Sequence, residues 1–292
     1  MEEKYKIFLD ELNNAKKEGL VTMLYRGETK KFAFEKFNLD ASINKIEQFA
    51  ERLFFFGVKA KDFWNEKIVS DFEGCNFGIN DTSEQAFIYI FRSFNKLTKT
   101  ANKTATIRYF EKNKNTVDFF SNLSNLGSFS QKVRNLPENK KLHYRNYCLR
   151  IIHQLDETSY NKNSHFVSST QSEEETKQFS KGEIKINFWD LKFTKKDVYF
   201  NDVPCFIGRP YEKQDEISIF AAIFPHYIYS FEYKGYIYPN PALRTCKDIK
   251  CAIYCGFEIQ QENFLERLKN ETKYKKGVMT NGEKIEEISM LT

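Results

Sequence analysis

The apolar residues of this chain change their spacing once, and that change limits the folds open to it. From about residue 40 to 155 they recur at three- and four-residue intervals, as in INKIEQFAERLFFFG, SEQAFIYIFRSFNKL and KKLHYRNYCLRIIHQLDE, the period of a helix face. From His165 onward short β-rich runs take over: HFVS, GEIKINFW, VYFND, EISIFAAIFP, YIYSFEYKGYIY and CAIYCGFEI, with turn residues between them. Ahead of both, Tyr5, Phe8, Leu9, Leu12 and Ala15 share one face of a helix over Met1 to Glu18 that Gly19 ends. A short strand follows, LVTMLY, closed by Arg26 and Gly27. QENFLERLKNETKYKKG returns to helix before a polar tail. Helices and strands segregated in this order predict an α+β fold rather than a doubly wound sheet. No internal repeat and no linker of boundary length interrupts it, so residues 1–292 read as one domain, with 40–155 as a helical insertion.

A chain of 292 residues can bury a sizeable core. The high counts of Phe (29) and Tyr (16) accompany abundant Lys, Asn and Ile, the mark of AT-rich coding bias, so they are not by themselves a sign of base stacking. MEEKYKIFLDE carries acids where a signal peptide needs a basic and then an apolar run, and no stretch approaches the roughly 18 apolar residues of a membrane span. A cytosolic protein without membrane contact is expected. Six cysteines in so long a chain make no disulfide framework. Cys246, Cys251 and Cys255 lack the paired knuckles and nearby His of a zinc site and read as buried thiols.

The net charge of +5 is unevenly spread. Between Arg92 and Arg150 thirteen bases face only Glu111, Asp118 and Glu138, which makes that segment +10 and leaves −5 for the rest. Such an excess can neutralise phosphates and release counterions, which points to a polyanionic partner; a solvated Lys-rich surface is the competing reading. Tyr109, Phe110, Phe119, Phe120, Tyr144 and Tyr147 interleave these charges and leave stacking on single-stranded bases open.

The stretch HFVSSTQSEEETKQF places three hydroxyls between an apolar pair and a helix start. Ser172 with Glu175 forms a capping box, and the acids of the first turn complement the helix dipole. One cap needs one hydroxyl, so Ser168, Ser169 and Thr170 are left over.

Phe166-Val167-Ser168-Ser169-Thr170 followed by Phe179 resembles the Ser-Thr-Ser element of mono-ADP-ribosyltransferases of the Arg-Ser-Glu class. It departs from that element at its second and third positions and keeps the leading Ser168. The class needs an Arg at the end of an early strand, and LYRGE offers Arg26, whose fork of donors suits a pyrophosphate, with Gly27 allowing close approach of a ligand. The same Tyr-Arg-Gly resembles the signature of FRG domains. For the Glu of the class, Glu216 begins an apolar run 46 residues after Thr170, and Gln214-Asp215-Glu216 resembles its Gln-x-Glu loop. Gln260-Gln261-Glu262 is a rival that follows its strand instead of entering one, so Glu216 is preferred.

The resemblance implies a split β-sheet core with a large helical insertion and NAD as substrate. Arg26 would then fix the phosphates, with Gly27 letting the backbone come close to the ligand; Ser168 would position the Glu and the nicotinamide ribose, with Ser169 and Thr170 beside it in the cofactor site. Glu216 would stabilise the oxocarbenium-like transition state and Gln214 would bind the acceptor. Gln-x-Glu with the +10 segment favours a nucleic acid acceptor, RNA above DNA, as in phage-defence transferases acting on messenger RNA. A cytoplasmic toxin of this kind implies an antitoxin protein as partner. The alternatives are a protein-modifying transferase and a non-catalytic basic RNA-binding module.

His143, His153, His165 and His226 have no metal spacing, and His226 is expected to shape a strand turn. Phe188 and Trp189 are read as core in preference to a nicotinamide stack. No P-loop, G-x-G-x-x-G or G-x-S-x-G occurs.

Overall fold

A computed structural model describes residues 2–19, 21–42, 45–58, 81–102, 104–155, 166–191, 205–207, 216–220, 223, 225–241, 243 and 279–280. The chain divides into two compact units. Met1–Lys61, Val167–Pro204 and Asp215–Val278 form the first, and Asp62–Phe166, Cys205–Gln214 and Met279–Thr292 the second. The described elements are mixed helix and strand, in keeping with α+β.

The first unit is built on a sheet. Helix α1 (Glu2–Lys17) buries Phe8, Leu12 and Ala15, the spacing that its sequence presents. Strand β1 (Val21–Glu28) follows, then α2 (Lys30–Glu35) and α3 (Ile46–Phe56). After the second unit's helices come β2 (Phe166–Thr170), a helix Glu173–Ser180, β3 (Ile184–Leu191), Glu216–Phe220, Ile228–Tyr233 and Tyr236–Pro239. β1 pairs antiparallel with β3 over eight residues, from Val21↔Leu191 to Glu28↔Ile184. β3 pairs with Ile228–Tyr233, which turns into Tyr236–Pro239 through Lys234 (φ 51°) and Gly235 (φ 79°), a two-residue connection with both φ values positive. β2 lies on the other side of β1, and Glu216–Phe220 lies beyond β2.

Side-chain alternation gives this sheet two different faces. Tyr25, Lys185, Asn187, Ser230 and Glu232 share one, which helices Glu2–Lys17 and Glu173–Ser180 cover. Tyr5 Oη lies 2.9 Å from Ser230 Oγ, and Lys185 Nζ reaches Glu173 at 3.0 Å and Glu232 at 2.7 Å. The other face carries Leu24, Arg26, Glu28, Ile186 and Phe231 under α2 and α3, with Phe49 edge-on to Phe231 at 5.2 Å and stacked on Phe34 at 5.3 Å.

The second unit holds α4 (Glu84–Thr100), α5 (Thr104–Lys112), α6 (Lys114–Ser121), α7 (Leu126–Arg134) and α8 (Glu138–Leu155). Phe91, Phe94, Phe120 and Phe129 are at most 1 % exposed and form its aromatic centre, with Phe91 and Phe120 5.1 Å apart. The unit also holds β4 (Cys205–Ile207) and Met279–Thr280, which pair in parallel. With β2 and β3 placed, Glu216–Phe220 is β5, Ile228–Tyr233 β6, Tyr236–Pro239 β7 and Met279–Thr280 β8; Glu173–Ser180 is α9.

Several expectations need correction. β1 does not close at Arg26 and Gly27 but runs on to Glu28, because β3 supplies paired residues along its whole length. β2 likewise continues through the hydroxyl triplet. Within residues 40–155, α3 belongs to the first unit and α4 to α8 to the second. VYFND, CAIYCGFEI, QENFLERLKNETKYKKG and the three clustered cysteines lie outside the described residues. Among the described residues no helix is long and apolar enough to cross a membrane.

Candidate functional site

β1 and β2 meet at one residue pair, Tyr25↔Thr170, while β1 pairs with β3 over eight. Past Tyr25, towards Glu28, no further β1–β2 pair forms among the described residues. The Arg26 side chain links the two strands: its Nη1 donates to the backbone carbonyl of Ser168 at 2.6 Å, over 142 residues of sequence. Its Nε donates to Glu28 Oε1 at 2.5 Å, which follows from their i, i+2 positions on one face of β1.

Glu28 is buried, and Lys36, just past the C-terminus of α2, donates to the same Oε1 atom. Burial alone would raise the carboxyl's pKa, but Lys36 and Arg26 outweigh it and hold Glu28 down to about 2. Burial pushes Lys36 the other way from the usual lysine range, down to about 8, with Arg26 adding repulsion against the pull of Glu28. Arg26, Glu28 and Lys36 thus form a compact group with an excess of one positive charge. Sequence reasoning singled out Arg26 alone. The Arg-x-Glu alternation in LYRGE is the signal for Glu28; nothing in the sequence marks Lys36.

The three leftover hydroxyls separate by role. Ser169 is buried and donates from Oγ to Ile217 O at 2.7 Å, tying β2 to β5. Thr170, also buried, accepts from Ser172 N at 3.0 Å. Ser172 caps α9 by accepting from Glu175 N at 3.3 Å, as the sequence predicts. Ser168 is the residue of the triplet that is partly exposed.

Gly27 has a structural reason to lack a side chain. A Cβ there would lie 2.2 Å from Thr176 O and 2.9 Å from Ser180 N, so the close approach it permits in the structure is that of α9. Glu216 is the first residue of β5, next to the Ile217 that holds Ser169. The structure therefore brings the strands of Arg26, Ser168 and Glu216 together as successive neighbours β1, β2 and β5. Gln214 and Glu262 lie outside the described residues.

Phe188 and Trp189 are at most 1 % exposed, as expected of core residues; Tyr227 meets the Trp189 ring edge-on at 5.6 Å. His226 falls in a 3-10 turn, Pro225–Tyr227, that leads into β6.

In the basic segment the structure changes the inventory. Arg92, Lys96 and Lys99 are exposed and, at four- and three-residue spacing, share one side of α4. Arg145 is fully buried, donating to Asp81 O at 2.6 Å and to Asn146 Oδ1 at 2.7 and 3.1 Å, so it is a core group and not a phosphate ligand. Tyr109, Phe120 and Tyr144 are buried too, and stacking of bases on them is corrected to packing of the helices.

Compared with known proteins, the chain matches no family model, no curated protein and no solved structure.

Proposed function

We propose that this chain is an NAD-dependent mono-ADP-ribosyltransferase, built on an ADP-ribosyltransferase-like split β-sheet core and acting as a cytoplasmic toxin on nucleic acid, with RNA as the favoured acceptor. The observation that carries the reading is the single β1–β2 pair, beyond which the Arg26 guanidinium is bonded to the Ser168 carbonyl. Three strands that the resemblance makes functional are neighbours, although long segments separate them in sequence. The donor set also suits a diphosphate, since Arg26 and Lys36 carry two positive charges against one buried carboxylate.

In this reading Arg26 grips the phosphates of NAD, while Ser168, flanked by Ser169 and Thr170, orients the nicotinamide ribose. Glu216 stabilises positive charge at the ribose as the C1′–N bond breaks and its electron pair leaves with neutral nicotinamide. The acceptor, oriented by Gln214, forms the new bond to C1′ and releases a proton to solvent. The exposed Arg92, Lys96 and Lys99 side of α4 supports a polyanionic acceptor. An antitoxin protein in the producing cell completes the proposal.

Incubating the purified chain with labelled NAD, total RNA, DNA and cell protein tests it. Label is expected in RNA. Label confined to protein replaces the acceptor with a side chain, and RNA binding without nicotinamide release leaves a non-catalytic binding module.

A further inference from the structure

We infer that Lys36 is a second anion-binding group beside Arg26, and that the pair takes the two phosphates of a dinucleotide's diphosphate. The inference rests on the NAD reading above and adds a residue that no motif marks. Both cations donate to the same atom, Glu28 Oε1, so they stand no more than two hydrogen-bond lengths apart. The carboxylate lies innermost: the Glu28 side chain is 4 % exposed, against 17 % for Arg26 and 23 % for Lys36. An anion arriving from solvent therefore meets the cations before the acid. One carboxylate balances only one of the two, and the remaining charge is unbalanced within the group.

Chemistry favours a diphosphate over a single carboxylate here. Two adjacent cations of different shape, a planar fork and a point charge, match two linked phosphoryl groups better than one planar acid. Anionic oxygens close to Lys36 favour its charged form and so offset the burial and Arg26 repulsion that weaken its hold on a proton. Bound diphosphate thus returns to Lys36 the stabilisation that its surroundings withhold.

The test uses the full chain and inorganic pyrophosphate, with binding followed by calorimetry and folding by thermal melting. Wild type is expected to bind pyrophosphate, Lys36→Gln to bind it at least about tenfold more weakly, and Lys36→Arg to stay within about threefold. Equal affinity of Lys36→Gln and wild type overturns the inference, as does a wild type that does not bind pyrophosphate. If Lys36→Gln does not fold, the pH dependence decides. Among the described residues Glu28 and Arg26 are the charged groups facing Lys36, and Glu28 is held down to about 2. Wild-type affinity should drop relative to Lys36→Arg as pH rises through 8, and parallel profiles overturn the inference. A wild type that binds pyrophosphate through Lys36 yet releases no nicotinamide from NAD supports the anion site and refutes the NAD reading separately.

Discussion

Arg26 and Ser168, 142 residues apart, are joined by a 2.6 Å hydrogen bond from the guanidinium to a main-chain carbonyl. The bond links β1 to β2 just past their single residue pair, and the same guanidinium holds Glu28. Removing it in Arg26→Ala should cost roughly 2 kcal/mol, since hydrogen bonds involving a charged group are lost and buried Glu28 keeps only Lys36. Arg26→Lys should recover part of that stability but no NAD turnover, because an ammonium has no fork. Urea unfolding midpoints of the two variants check the order.

Acid should expose the part played by Glu28. Its folded-state pKa lies near 2, below its ordinary 4.5, so the stability it contributes is present above about 4.5 and lost as pH falls towards 2. Glu28→Gln lacks this contribution at every pH. The stability gap between wild type and Glu28→Gln should narrow steadily from about pH 5 to pH 2 in urea titrations, and a constant gap contradicts the assignment.

Two glycines should respond oppositely to alanine. Gly27→Ala drives a methyl into the backbone of α9 and should destabilise by about 1–3 kcal/mol. Gly127, in α7, has nothing within 4 Å of an added Cβ, and Gly127→Ala should stabilise by up to about 1 kcal/mol. Thermal melts of both, compared with wild type, read the difference.

Along β2 and its turn into α9, three hydroxyls should divide stability from turnover. Ser172→Ala removes the cap of α9 and should cost about 1 kcal/mol without changing turnover per folded molecule. Ser169→Ala leaves Ile217 O without its donor and should cost about 1–2 kcal/mol. Ser168→Ala should lower NAD turnover per folded molecule at least tenfold. Equal turnover in Ser168→Ala and wild type removes that hydroxyl from the proposed site.

What could be read in advance depended on how local its cause was. Phe8, Leu12 and Ala15 on α1 and the Ser172 cap are set within a turn or two, and both were legible. The extent of β1 was not: Gly27 and Glu28 are poor strand formers, and the Gly27↔Lys185 and Glu28↔Ile184 pairs that extend it come from a distant strand. Burial of Arg145 and Phe120 was hidden for the same reason, since only packed helices decide which ring or charge faces inward. Lys36 reads as an ordinary lysine at a helix end, and its bond to Glu28 arises only when α2 folds over that carboxylate. The juxtaposition of β1, β2 and β5 was anticipated only by resemblance; their sequence separations specify no neighbours.

Nicotinamide release from NAD by wild type, Glu216→Gln and Glu262→Gln tests the central claim most directly. Wild type and Glu262→Gln should release nicotinamide at similar rates, and Glu216→Gln, isosteric but uncharged, should fall by at least about a hundredfold with its melting temperature unchanged. Release by Glu216→Gln at the wild-type rate, or none from wild type, would contradict the account.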